Sequence, residues 1–326
     1  MRILVTGGAG FIGAHYVKAL LSNEFLGCED AHVTVIDKLT YAGSVANLEP
    51  VWTHPRLTFV YGDICDTSLV RSVVPGHDAV LNFAAETHVD RSIAVPGPFV
   101  MTNVTGVQSL LQACLEGDVA RVVHVSTDEV YGSIASGSWA PNAALEPNSP
   151  YSASKAGGDL IARAYAKTFK LNVSITRCCN NYGPRQFPEK IIPLFITNLL
   201  DGKQVPLYGD GGNVRGWVHV EDHCRGIQLV LERGTTGGVY HIGGDVELSN
   251  RELTEILLGL CGGDWAMVRH FPDRKGHDRR YSIDDSALRA MGYVPQVPFL
   301  EGLKATVQWY EENRSWWHAL KLRHPT

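Results

Sequence analysis

The chain has no excess of positive charge. It carries 29 Lys and Arg against 34 Asp and Glu, a formal net charge of −5. No basic block stands out, which argues against nucleic acid and anionic membranes as partners. No apolar run approaches the ~18 residues a membrane helix needs. The first strand is expected at residues 2–6, which leaves no room for a charged leader followed by an apolar segment. Seven cysteines are scattered at 28, 65, 114, 178, 179, 224 and 261, and no C-x-x-C occurs. An odd number, placed largely inside expected strands and helices, predicts reduced thiols and a cytoplasmic protein. His219 and His223 stand four apart, but the order His219-Val220-Glu221-Asp222-His223 is not H-E-x-x-H and lacks a clear third ligand. No metal is expected; a helix start capped near Glu221-Asp222 is the better account. Neither repeats nor low-complexity tracts are visible.

What is present is an alternation of strand and helix through the first half. Its 326 residues suffice for one large or two modest domains. Arg2-Ile3-Leu4-Val5-Thr6 reads as a strand buried on both faces, and residues 14–21 as a helix. Between them lies Gly7-Gly8-Ala9-Gly10-Phe11-Ile12-Gly13. Glycines at 7, 10 and 13 suit a tight turn, close backbone approach to a pyrophosphate, and close helix packing. The helix N-terminus then offers free N–H groups to phosphate. The spacing resembles the extended short-chain dehydrogenase pattern. A second strand, 32–36, ends at Asp37, an acid placed to accept hydrogen bonds from ribose hydroxyls and to repel a 2′-phosphate. NAD is therefore favoured over NADP, somewhat less so because of Lys38; the alternative for Asp37 is an acid that caps the loop.

Further strands are expected at 57–61, 79–83, 121–125 and 173–177, and at 239–242 after a helix at 221–232. Their carboxyl ends lead to Asp63-Ile64, to Ala84-Ala85, and to Ser126-Thr127-Asp128-Glu129. Ligands of open α/β sheets bind at such ends. A long helix is expected over 98–117, and another from Tyr151 to about Phe169. Tyr151 and Lys155, four apart, share a face of the latter. The ammonium favours phenolate and so lowers the tyrosine pKa. This pair suits proton transfer at a hydroxyl while a hydride leaves the same carbon. Asp128 and Glu129 add an acid and a base, which a plain dehydrogenase does not need and a water-eliminating enzyme does. Taken alone, each segment also reads as a solvated helix face or a helix cap.

The fold class predicted is α/β: a Rossmann-like doubly wound parallel sheet with a smaller C-terminal α/β lobe. The cofactor domain is placed at 1–177, with a return of the chain at about 215–243, and the substrate lobe at 178–214 and 244–326. Prolines 184, 188, 193 and 206 and the glycines at 209–212 mark the change. Trp265, Trp309, Trp316 and Trp317 read as packing. Apolar residues on one side of the two long helices suggest a homodimer.

With these segments in order, the chain resembles the nucleoside-diphosphate-sugar 4,6-dehydratases over nearly its whole length. The resemblance rests on residues 6–13, Asp37-Lys38-Leu39-Thr40-Tyr41-Ala42-Gly43, residues 84–92, Ser126 to Gly132, Pro150 to Lys155, Asn180 to Pro184, Phe187-Pro188-Glu189-Lys190, and Gly276-His277-Asp278-Arg279-Arg280-Tyr281. Ala14, where serine is commoner, and Lys275, where proline is commoner, depart from the pattern. Members acting on dTDP-glucose are the nearest match, which implies that substrate and NAD. It implies Tyr151 as the base at the sugar 4-OH, with Lys155 and Thr127 assisting. Glu129 would remove the C5 proton, and a protonated Asp128 would donate to the departing 6-OH. It implies cofactor contacts from Gly7, Gly10, Phe11, Ile12, Gly13, Asp37, Lys38, Thr40, Gly43, Asp63, Ile64, Ala84 and Ala85. His88 is implied near the sugar, Asn180 and Arg215 at the diphosphate, and Lys190, Pro206 and Tyr208 at the nucleotide. Asn250, Arg274 and His277 come from the second lobe; Asn250 alternatively caps a helix, and Arg274 is alternatively a surface charge. Rival readings are a UDP- or other nucleotide-glucose dehydratase, a 4-epimerase, and an NAD-binding regulator without turnover.

Overall fold

A computed structural model describes residues 1–323. Twelve strands are present among them: β1 (Arg2–Thr6), β2 (His32–Asp37), β3 (Leu57–Tyr61), β4 (Ala79–Asn82), β5 (Arg121–Thr127), β6 (Val173–Cys178), β7 (Asn180–Tyr182), β8 (Val205–Tyr208), β9 (Val214–His219), β10 (Val239–Ile242), β11 (Val246–Ser249) and β12 (Val268–Phe271). The helices are α1 (Phe11–Leu21), α2 (Thr67–Val73), α3 (Val89–Ala94), α4 (Gly97–Val100), α5 (Val107–Glu116), α6 (Pro150–Phe169), α7 (Ile191–Leu200), α8 (Val220–Arg233), α9 (Asn250–Leu260), α10 (Ser286–Ala290), α11 (Phe299–Glu312) and α12 (Arg314–Arg323).

Seven strands form one parallel sheet in the order β3-β2-β1-β4-β5-β6-β10. The order reverses between β1 and β4, which opens a crevice at their carboxyl ends. Strand alternation sorts the core into two layers. Ile3 and Val5 face α1 and α8, while Leu4 packs with α2, α5 and α6. Both faces of β1 are thus covered, as its unbroken apolar run requires.

Two smaller sheets lie outside this layer: β11-β9-β7 and the parallel pair β12-β8. A separate core joins α7, α9, α11 and α12, with Trp317 fully buried and Trp265, Trp309 and Trp316 packed against it. The segment expected to return at about 215–243 begins as β9 in the three-stranded sheet. It reaches the main sheet through α8 and β10.

One expected element is divided. The helix predicted over 98–117 runs as α4, a π-helical turn at Met101–Gly106, and α5. The wide turn serves Asn103, whose side chain accepts from Glu86 N at 2.9 Å and donates to Glu86 O at 3.0 Å and to Ser154 Oγ at 2.9 Å. It ties the loop after β4 to α6. Apolar periodicity continues through such a turn, so sequence spacing does not reveal it.

Candidate active site

The loop after β1 is shaped by contacts that only glycine permits. Gly7 has φ +69°, and a Cβ there would lie 2.6 Å from Ala84 N. We expect Gly7→Ala to destabilise the fold by at least roughly 1–2 kcal/mol from the left-handed backbone alone, read by denaturant unfolding. A Cβ on Gly13 would strike Gly7 O, so α1 sits directly on the turn. Gly10 caps α1 without a side-chain bond, leaving first-turn amides for an anion. Asp37 accepts from Ala9 N at 2.9 Å and Leu39 N at 2.8 Å, and burial raises its pKa. The carboxylate therefore stitches the glycine loop to β2 while its edge lines the crevice. Lys38 lies 3.4 Å from Asp63 and 3.7 Å from Glu86, and its charge also opposes the burial shift of Asp37.

Thr127 ends β5, and its hydroxyl accepts from Glu129 N at 3.3 Å, starting a tight helical turn over Asp128–Tyr131. Opposite stands the N-terminus of α6, fixed by a capping box between Ser149 and Ser152. Tyr151 and Lys155 project from its first turns. Lys155 Nζ donates to Val125 O at 2.7 Å. This departs from the sequence expectation for the tyrosine. Burial pushes the Tyr151 phenol well above its ordinary value, Glu129 and Asp128 push the same way, and only the Thr127 hydrogen bond lowers it. Burial also lowers the Lys155 pKa. The phenol is thus protonated until positive charge enters the site.

The two carboxyls differ in setting. Asp128 is 2% exposed, and its Oδ2 has no hydrogen-bond partner among the described residues. Burial, then Glu129, raises its pKa to about 8, so it is neutral at pH 7. Glu129 is also raised by burial, but Lys190 and Arg215 oppose the shift. A buried acid whose folded pKa exceeds its unfolded value binds protons more tightly when folded. Stability then falls as pH climbs from the usual aspartate range to about 8. Asp128→Asn is expected to melt with wild type near pH ~4 and at a higher temperature at pH 8, as thermal melts at both values would show.

The opposite wall is cationic. Arg215 donates to Asp278 O at 2.9 Å and lies 4.2 Å over the Tyr281 ring, whose hydroxyl donates to Asp278 Oδ2 at 2.6 Å. Arg274 pairs with Asp90 at 2.9 Å and lies 4.3 Å over Tyr208, which excludes the reading as a free surface charge. Lys190 donates to Thr87 O at 2.9 Å. His88 caps α3, and burial lowers its pKa to about 3, so it is a neutral ring. His277 pairs with Asp273 at 2.6 Å. Asn250 does not cap α9; Ser249 does, in a capping box with Glu252. His219 caps α8 by accepting from Glu221 N, and His223 Nδ1 meets Asn181 Oδ1 at 2.8 Å.

One cavity of ≈ 420 Å³ takes in every residue named above for cofactor and substrate, together with Thr127, Glu129, Tyr151 and Lys155. Asn180, Pro206, Thr40, Gly43 and Ile64 are on its wall. Asp128 is the exception: it is buried beside the wall, where its Oδ1 accepts from the Thr127 hydroxyl at 3.3 Å. Three residues without an expected role also shape the site. Glu189 is buried 3.4 Å from Arg91, and Tyr281 and Asp278 hold Arg215. The motif stretches 187–190 and 276–281 were their only signal.

A crevice at the glycine loop, a Tyr–Lys helix and an adjacent pair of carboxyls agree with what the chain is similar to. The family model described as GDP-mannose 4,6 dehydratase matches residues 4–306. A dTDP-glucose 4,6-dehydratase of Streptomyces niveus is 57% identical over 98% of this chain and 96% of its own length. The solved structure of DesIV, a dTDP-glucose 4,6-dehydratase of Streptomyces venezuelae with NAD and TYD bound, has a TM-score of 0.97 at 62% identity, covering 98% of this chain and all (100%) of that one. A UDP-glucose 4-epimerase of Thermotoga maritima reaches 0.88 at 30% identity, covering 96% and 100%. The chain therefore belongs to the nucleotide-sugar 4,6-dehydratases, within the group of dTDP-glucose 4,6-dehydratases.

Proposed function

We propose that this protein is a hydro-lyase that converts dTDP-glucose to dTDP-4-keto-6-deoxyglucose, with NAD held through the cycle. The observation that carries the reading is that one cavity joins a Tyr–Lys proton-handling pair to a turn bearing two carboxyls in unlike settings. The residues fit the cofactor: open amides of α1, the Gly7 approach to Ala84, and Asp37 beside the crevice. NAD, when bound, supplies the hydride acceptor and the positive charge that favours phenolate. Tyr151 then takes the 4-OH proton, with Thr127 and Lys155 orienting it. Oxidation at C4 acidifies C5, because the resulting carbanion is an enolate. Glu129 removes the C5 proton. Asp128, neutral at pH 7, gives its proton to the departing 6-OH. Return of the hydride to C6 and of a proton to C5 completes the reaction. Arg215, Lys190 and Arg274 meet the diphosphate and nucleotide; the planar guanidinium suits phosphate oxygens.

We assign the cofactor domain to 1–177 with the returning segment, and the nucleotide-sugar lobe to 178–214 and 244–326, supported by the separate core there. Ile93, Val95, Val100, Met101 and Leu160 are exposed on α3 through α6 and support a homodimer through this face. No helix among the described residues is long and apolar enough to cross a membrane. The seven unpaired cysteines support the cytoplasm. The test is incubation of purified protein with dTDP-glucose and, separately, UDP-glucose, followed by mass spectrometry. A dTDP-sugar lighter by one water is expected. Formation of dTDP-galactose would make the protein an epimerase, and turnover of UDP-glucose alone would move the nucleotide assignment.

A further inference from the structure

We propose that a buried polar clamp of Asp159, Arg177 and Tyr131 holds the acid–base turn against the Tyr151–Lys155 helix, making these positioning residues for water elimination. The proposal rests on the dehydratase reading. Asp159 lies four residues beyond Lys155 on the same face of α6. Arg177 is on β6, beside β5, in a register that pairs Ser126 with Arg177 and Thr127 with Cys178. Both side chains are 0% exposed, and Arg177 Nε donates to Asp159 Oδ2 at 2.8 Å. Arg177 Nη1 donates to the Tyr131 hydroxyl and to Pro141 O. Its guanidinium also lies 4.7 Å from the Tyr131 ring centre. Tyr131 is the last residue of the turn that bears Asp128 and Glu129.

The hydrogen bonds have a fixed direction. His241 Nδ1 donates to Asp284 O at 2.9 Å, so Nε2 accepts from the Tyr131 hydroxyl at 2.7 Å. On the far side, Asn82 Nδ2 donates to His124 Nδ1 at 3.1 Å, which leaves His124 Nε2–H facing Asp159 Oδ1 at 3.5 Å. The belt thus crosses β4, β5, α6, β6 and β10 directly beneath the site. A buried ion pair of this kind contributes little stability compared with well-packed apolar side chains. Its directed bonds instead fix how three elements sit relative to one another.

The clamp serves the two halves of the reaction unequally. Tyr151 and Lys155 have further anchors: Ser92 Oγ accepts from Tyr151 N at 3.1 Å, and Lys155 holds Val125 O. Among the described residues the turn relies on the Thr127 cap, on the hydrogen bonds of the Tyr131 hydroxyl, and on apolar packing of Val130 and Tyr131 with Ala156 and Trp139 that carries no direction. Loosening Tyr131 should therefore spare oxidation and impair elimination.

Tyr131→Phe removes the hydroxyl and keeps the ring. With dTDP-glucose we expect kcat to fall about ten- to a hundredfold, KM to stay near that of wild type, and reduced nicotinamide to accumulate on the enzyme during turnover, read by absorbance. A purely structural role would lower thermal stability without that accumulation. Absence of reduced cofactor in Tyr131→Phe, beside an active wild type, would overturn the clamp whatever happens to kcat. Failure of wild type to form the dehydrated sugar would instead overturn the functional reading.

Discussion

Glu129→Gln is expected to oxidise the sugar and stop there. Glutamine keeps the shape of the side chain and its place on the cavity wall, but it cannot take the C5 proton. Tyr151, Lys155 and Thr127 are untouched, so about one equivalent of reduced nicotinamide should form and persist. Product formation should drop by about 10²- to 10⁴-fold, the usual share of a general base. The pH dependence should change as well. Burial raises the Glu129 pKa, and Lys190 and Arg215 draw it back. Wild-type turnover is lost as pH falls through that raised value, because the base must be ionised. The variant has no such limb. Its remaining activity should still fall as pH rises and Asp128 loses its proton, but at a lower pH than in wild type, because the Glu129 charge no longer helps to raise the Asp128 pKa. Single-turnover absorbance and a pH series check both points; full product formation by the variant would remove Glu129 from the base role.

Tyr151→Phe should fail one step earlier. The ring stays in its edge contact with Phe99, 6.4 Å between centres, and the helix keeps its capping box, so folding is expected to be normal. Without the hydroxyl, the group assigned to take the 4-OH proton as hydride leaves is gone. Oxidation should slow by about 10²- to 10⁴-fold, with no reduced nicotinamide at any time. The pair of variants thus separates the two half-reactions. One stalls with reduced cofactor and the other without it. Rapid reduction in Tyr151→Phe would overturn the tyrosine assignment.

Much of the architecture was legible because its causes are local. The inner strands of the central sheet are short apolar runs buried on both faces, and β1, β3 and β10 fall where apolar runs lie, although β3, at the sheet edge, holds no buried residue. The glycine loop was legible from its spacing, since close approach forbids a Cβ at Gly7 and Gly13. What escaped depends on partners distant in sequence. The π-helical turn at Met101–Gly106 exists for Asn103, whose partners are Glu86 and Ser154. The raised phenol of Tyr151 reflects burial and two carboxyls, which spacing to Lys155 does not encode. Asp128 was expected as the acid beside Glu129, but the motif does not encode that it is buried behind the cavity wall. That burial, with the Glu129 charge beside it, raises its pKa and keeps the carboxyl neutral at pH 7. Arg215 could be proposed for phosphate by its residue type, whereas Tyr281 and Asp278 gain their place only by holding it.

The most direct test of the account uses dTDP-glucose carrying deuterium at C4. If Tyr151 and the bound cofactor oxidise C4, and the acid pair then opens C6 to hydride, the 4-keto-6-deoxy product retains the label at C6. Label retained at C4, or lost to solvent, would contradict the account.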